Sequence, residues 1–136
     1  MATFQHYNPF KADVHNGVHN LGADTIKALL SNVAPNAADG VKADLTEISA
    51  GNGYSAGGVT IPVTSSAQAG GTYSLVSGTA AITAAGGTIG PFRYINYYND
   101  TAANDELIGW LDYGASYTLP DGQPFTIPAG VVFTNA

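Results

Sequence analysis

Cysteine is absent from this chain of 136 residues, which excludes a disulfide framework, a thiolate metal site and a cysteine nucleophile. Charge is nearly as scarce: Asp, Glu, Lys and Arg make up 10% of the residues, where an average soluble domain carries about 25%. Lys11, Lys27, Lys42 and Arg93 are the only permanent cations, they are scattered, and the net charge is −6. A phosphate backbone is gripped by clustered cations, so nucleic acid is excluded as a direct partner. No apolar run reaches the roughly 20 residues of a membrane-spanning helix, and MATFQHYNPFKADV has neither the basic nor the apolar segment of a secretory signal. Synthesis in a cytoplasm, with no membrane partner, is the expectation.

Glycine is plentiful instead, with 17 copies, and the large rings are concentrated. Residues 88–114, TIGPFRYINYYNDTAANDELIGWLDYG, hold the only Trp, the only Arg and four of the eight Tyr. Aromatic and β-branched runs bounded by Asn and Asp predict two strands, residues 91–98 and 106–113, joined by a polar loop. A hairpin with one face in water alternates apolar with polar. Here Phe92, Tyr94 and Tyr98 lie on one parity and Ile95 and Tyr97 on the other, while the second strand sets Ile108 and Trp110 against Leu107, Leu111 and Tyr113. Either one face packs on the core and the other meets a second sheet or a second protein, or the second face is amphipathic through its Tyr hydroxyls.

The length fits one domain, residues 1–136, able to bury about two-thirds of its unfolded surface. Asn8 and Pro9 predict a helix start, and Phe10, Val14, Val18 and Leu21 continue one apolar stripe for about ten residues until Asn20 and Gly22. Residues 1–22 thus form a candidate N-terminal arm and helix. Residues 24–32 read as a strand, and the capping-box spacing of Asp44 and Glu47 predicts a helical turn over 45–49. Short β-runs follow at 59–64, 72–77, 79–84, 116–119, 125–127 and 131–134, with a tight turn at Pro120-Asp121-Gly122-Gln123. This spacing predicts a mainly β fold, an antiparallel β-sandwich or jelly-roll-like barrel with one short N-terminal helix.

No segment carries a catalytic motif, so a non-enzymatic chain without cofactor or metal is expected. His15 and His19 have a metal-ligand spacing, yet Asn16 stands where a catalytic Glu would follow the first His. The glycine-rich stretch 51–58 leads into a strand and has no Lys beside it, unlike a phosphate loop. Loop 99–106 gathers Asp100, Asp105 and Glu106 with Asn99 and Asn104, but its spacing matches no calcium loop.

The segments VHNLGADTIKALLSN (18–32), KADLTEISAGNGYSAGG (42–58), RYINYYNDT (93–101) and LIGWLDYG (107–114) resemble a group of small structural proteins of tailed bacteriophages. That resemblance implies a virion component assembled in the bacterial cytoplasm. It also implies partners among the major capsid protein and other virion proteins, with self-association. Head decoration (cement) bridging neighbouring capsid subunits is the leading expectation, with a neck, tail or fibre component as the alternative. Phe92, Tyr94, Tyr98 and Trp110 are the candidate contact face, with Phe4 and Tyr7 in the arm; core packing is the competing role for each. A carbohydrate-binding β-sandwich using Tyr97, Tyr98, Asn99 and Asp100 is the rival reading.

Overall fold

A computed structural model describes residues 4–135. In chain order the elements are β1 (Phe4–His6), α1 (Asn8–His15), β2 (Ile26–Ser31), a 3-10 turn (Lys42–Asp44), β3 (Val59–Ile61), β4 (Val63–Ala69), β5 (Thr72–Ser77), β6 (Ala80–Thr83), β7 (Ile89–Asn99), β8 (Leu107–Leu119), β9 (Pro124–Ile127) and β10 (Gly130–Asn135). The fold is mainly β, with every strand pair antiparallel and one short helix near the N-terminus, as in a β-sandwich. The sheets run β1-β8-β7-β2-β3, β10-β5-β4 and β6-β9.

The aromatic hairpin is the centre of the largest sheet. The two runs read as 106–113 and 116–119 are one strand, β8, whose pairing with β7 slips: Tyr94 faces Asp112 and Phe92 faces Tyr117. Residues 113–116 therefore form an outward excursion, and Gly114 takes a φ of 98° there, a conformation open to glycine at little cost.

Strand alternation and register put Ile26, Ala28, Leu30, Ile95, Tyr97 and Leu111 on one face and Leu29, Asn96, Tyr98 and Trp110 on the other. On the first face Phe4 meets Tyr97 edge-on at 5.0 Å, and His6 Nε2 lies 2.7 Å from the Val132 carbonyl of β10. The second face is closed by this chain's own loops: the Tyr98 hydroxyl donates to the Gly57 carbonyl at 2.6 Å, and Tyr7 lies over Trp110 at 4.7 Å. At the far end Phe92 meets Phe125 of β9 at 4.9 Å. Tyr7, Phe92, Tyr97, Tyr98, Trp110 and Phe125 belong to a single buried cluster, and Phe4 packs against it.

Several local expectations are corrected. The helix stops at His15 because Gly17 turns left-handed at φ 79°; Val18 N–H then bonds to Asp13 O at 2.9 Å and Gly17 N–H to Val14 O at 3.4 Å, the double closure of a Schellman end. Asn8 is the first helical residue and Tyr7 its cap. Residues 45–49 are not helical: the Asp44 carboxylate accepts from the amides of Gly40 and Val41, closing the turn earlier, and Ile48 N–H bonds to Leu30 O beside β2. The run 59–64 divides at Pro62, which has no N–H to give, so β3 joins one sheet and β4 another. Residues 4–22 are no extended arm: β1 pairs with β8, and Tyr7 and Phe10 are fully buried. Residues 1–3 of that segment lie outside the described residues.

Candidate interaction surface

Tyr94, Tyr98 and Trp110 of the candidate contact face share one side of the sheet, but that side is covered, and Phe4 of the candidate arm is paired in β1. Tyr7, Phe92, Tyr98 and Trp110 are enclosed, at 0%, 0%, 1% and 8% exposure, while Phe4 and Tyr94 are partly buried against the core. Phe92 packs with Phe125 and Tyr117, Tyr98 lies under Lys42 and Gly57, and Trp110 lies under Tyr7. The physical reason is the loop and N-terminal cover, which closes the face left open to a second protein by the sequence pattern alone. Burial raises the pKa of the Tyr7 and Tyr98 hydroxyls and pushes Tyr97 up to about 12. The Tyr7 and Tyr98 hydroxyls donate within the core, to Asn96 Oδ1 and to the Gly57 carbonyl.

The carbohydrate reading meets the same obstacle. Tyr97, Tyr98 and Asn99 are buried, and Asp100 is ion-paired with Lys27 at 3.8 Å. Asn99 is instead the centre of a knot. Its Oδ1 accepts from the amides of Thr101 and Ala102, and its Nδ2 donates to His19 Nδ1 at 2.9 Å and to Asp24 Oδ2 at 2.7 Å. His19 therefore lies beyond the helix that ends at His15, so the two histidines do not share a helix face. Among the described residues no group of three or more His, Cys, Asp or Glu could hold a metal ion.

The glycine-rich segment is strapped to the core. Glu47 Oε2 accepts from the Tyr54 hydroxyl at 2.6 Å and from the Gly57 amide at 2.7 Å. Tyr54 in turn accepts from the Leu30 amide at 3.0 Å, a strand donor that β3 is too short to reach. Beside this segment a groove of about 550 Å³ opens between residues 46–52 and 88–91, lined among others by Asn32, Val33, Glu47, Asn52 and Pro91.

Aromatic surface does appear, at a residue outside the candidate contact set. Among the described residues, Val33 at 56% and Tyr113 at 46% are the exposed large hydrophobic residues. Tyr113, on the β8 excursion, lies 5.5 Å from Tyr117 and 5.6 Å from Phe125. On the same hairpin Arg93 grips Asp112 with two bonds of 2.8 and 3.1 Å and lies 5.4 Å from the Tyr94 ring centre. That grip holds the Asp112 carboxyl below the usual carboxylate range. Tyr113 and partly buried Tyr117 thus form an aromatic ledge, and the Arg93–Asp112 pair next to Tyr113 in the chain is internally neutralised. The signal available in the sequence was Gly114-Ala115-Ser116, three small residues that interrupt the strand alternation and let the chain bulge.

No known protein family, curated protein or solved structure matches the sequence.

Proposed function

We propose that this chain is a bacteriophage virion structural protein, most specifically a decoration (cement) protein that binds across neighbouring capsid subunits and stabilises the head. The observation that carries the reading is the exposed ring of Tyr113 beside partly buried Tyr117, on a fold that encloses Tyr7, Phe92, Tyr97, Tyr98 and Trp110. It is joined by the resemblance of four segments to phage structural proteins and by the low charge of the chain. A Tyr ring offers about 150–250 Å², so completing the burial of a half-exposed ring contributes at most about 3 kcal/mol at about 25 cal/mol/Å². A specific interface buries at least about 1,000 Å². The ledge is therefore the anchor within a wider contact, and particle symmetry multiplies each small contribution.

The test compares particles assembled with the parent chain, with Tyr113→Ala, and without the chain. Heat resistance of the head is expected to fall in the order parent, Tyr113→Ala, no chain, with density for the protein on the capsid exterior. Unchanged resistance together with density confined to the neck, tail or fibres moves the assignment to those stations.

A further inference from the structure

We infer that His19, Asn99 and Asp24 form an acid-operated latch: a second proton on the His19 ring makes it exchange Asn99 for Asp24, which releases the loop at residues 100–105. The inference does not rest on the virion reading.

The latch is built around one nitrogen. Asn99 Nδ2 has two hydrogens and gives one to His19 Nδ1 at 2.9 Å and the other to Asp24 Oδ2 at 2.7 Å. Asn99 Oδ1 accepts from the amides of Thr101 and Ala102 at 2.9 and 3.2 Å, which fixes the end of the side chain that faces the ring. Nδ1 is therefore an acceptor in the neutral ring. One asparagine thus closes the turn into the loop and ties that loop to residues 19–24. Two further ties run beside it: the Thr25 amide donates to Thr101 Oγ1 and the Asp100 amide to the Thr25 carbonyl, each at 2.8 Å.

A second proton, taken from solvent, goes to Nδ1 and meets the Asn99 N–H. Two donors cannot share a hydrogen bond, so the imidazolium and Asn99 separate. An acceptor stands beside them. Asp24 Oδ2 is bonded to the same Asn99 nitrogen, and it is anchored by the Asn20 amide at 2.8 Å on the segment that carries His19. The imidazolium takes the place of Asn99 on that oxygen, and an ion-to-ion bond of this kind is about twice as strong as one between neutral groups.

The surroundings suit the exchange. His19 is buried against the ring of Phe10 at 5.2 Å, and Phe10 in turn stacks on His6 at 5.6 Å. The charged groups that act on His19 are Asp13 from α1, Asp24 from its own segment and Glu106 from the foot of β8, all three negative. Tyr73 of β5 lines the hollow beside the ring and is bonded to Ser66 at 2.7 Å. The carboxylates favour the charged ring and burial opposes it more strongly, so the exchange lies below the ordinary histidine value of 6.5. At the stem of the loop the Asn99 amide still donates to the Glu106 carbonyl at 2.9 Å. That bond uses no titrating group, so the opening is local.

Amide hydrogen exchange of the intact chain, followed residue by residue from about pH 7.5 to about pH 5 and corrected for its intrinsic pH dependence, tests the latch. The Thr101 and Ala102 amides are expected to lose protection at least about tenfold as His19 titrates, while amides between β2 and β7 keep theirs. Ring nitrogen shifts are expected to place the proton of neutral His19 on Nε2. His19→Gln, whose side-chain oxygen accepts from Asn99 without titrating, should keep both amides protected throughout. Asp24→Asn removes the carboxylate that receives the imidazolium and should move the opening to lower pH. Thermal melts matching the parent at about pH 7.5 show that each variant is folded. Protection of Thr101 and Ala102 that ignores pH in the parent overturns the inference, as does loss shared equally by the β2–β7 amides. So does a neutral ring protonated on Nδ1, or either variant opening at the parent's pH.

Discussion

Asn99 orients the ring of His19, with its side-chain nitrogen 2.9 Å from Nδ1. The Asn99 oxygen is committed to the amides of Thr101 and Ala102, at 2.9 and 3.2 Å, so the side-chain amide cannot turn over without setting N–H against N–H. Nδ1 must therefore accept, and the proton of the neutral ring sits on Nε2. Nε2 is buried and has no partner among the described residues. A second proton on Nδ1 would point at a donor.

Acid is expected to loosen this corner. Burial holds His19 below the ordinary histidine value of 6.5, against the opposing pull of Asp13, Glu106 and Asp24, and burial lowers His6 as well. Between 6.5 and the folded pKa the unfolded chain binds more protons than the folded one. This contribution is therefore fully present above about pH 6.5 and is lost as pH falls through that window. Thermal melts from about pH 7.5 down to about pH 5 should show falling stability in the parent. His19→Gln, which does not titrate, should show a shallower slope.

Tyr7→Phe is expected to cost about 1–3 kcal/mol, because a buried acceptor left unpaired loses its full solvation. The Tyr7 hydroxyl donates to Asn96 Oδ1 at 2.8 Å, and Asn96 is fully buried in the second face of the sheet. Urea unfolding should show a lower midpoint with an unchanged slope, the sign of lost stability without a change in the surface exposed.

Gly109→Ala tests how β1 is seated. A Cβ at position 109 would collide with the Gln5 carbonyl oxygen and sit 2.7 Å from Phe4 Cζ. Overpacking of this kind costs about 1–3 kcal/mol. The effect should concentrate at the N-terminus: the Tyr7 amide, which bonds to the Ile108 carbonyl, should exchange its hydrogen faster while amides of β2 keep their protection.

Two tyrosines should divide stability from assembly. Tyr98→Ala removes a buried ring and its bond to Gly57 and is expected to cost about 3–5 kcal/mol. Tyr113→Ala, on the exposed ledge, should change stability by about 1 kcal/mol or less and instead lower retention on particles. Equilibrium unfolding and particle co-sedimentation, measured on both variants, check the division.

What the sequence disclosed, and what it hid, follow physical lines. β5 was legible to the residue, and β2 and both hairpin strands were legible in place, because β-branched and aromatic runs between turn residues have few other uses. The helix overran, since Val18 and Leu21 keep the apolar spacing after Gly17 has already turned the chain. β4 continued past the run read at 59–64 because Ser65, Ser66, Ala67, Gln68 and Ala69 carry no apolar alternation; pairing with β5 makes them a strand. The candidate site fared worst. Ring positions were plain, but whether Trp110 or Tyr98 faced solvent depended on Tyr7 and Gly57, which lie far away along the chain and meet them only in the fold.

The break at Pro62 has a mechanical consequence. One backbone passes from the edge of the five-stranded sheet directly into the edge of the three-stranded sheet, with the Pro62 carbonyl tethered to the Gly78 amide at 2.9 Å. A tug on the outer rim of β4 is therefore handed through a single covalent joint to β3 and on to β2.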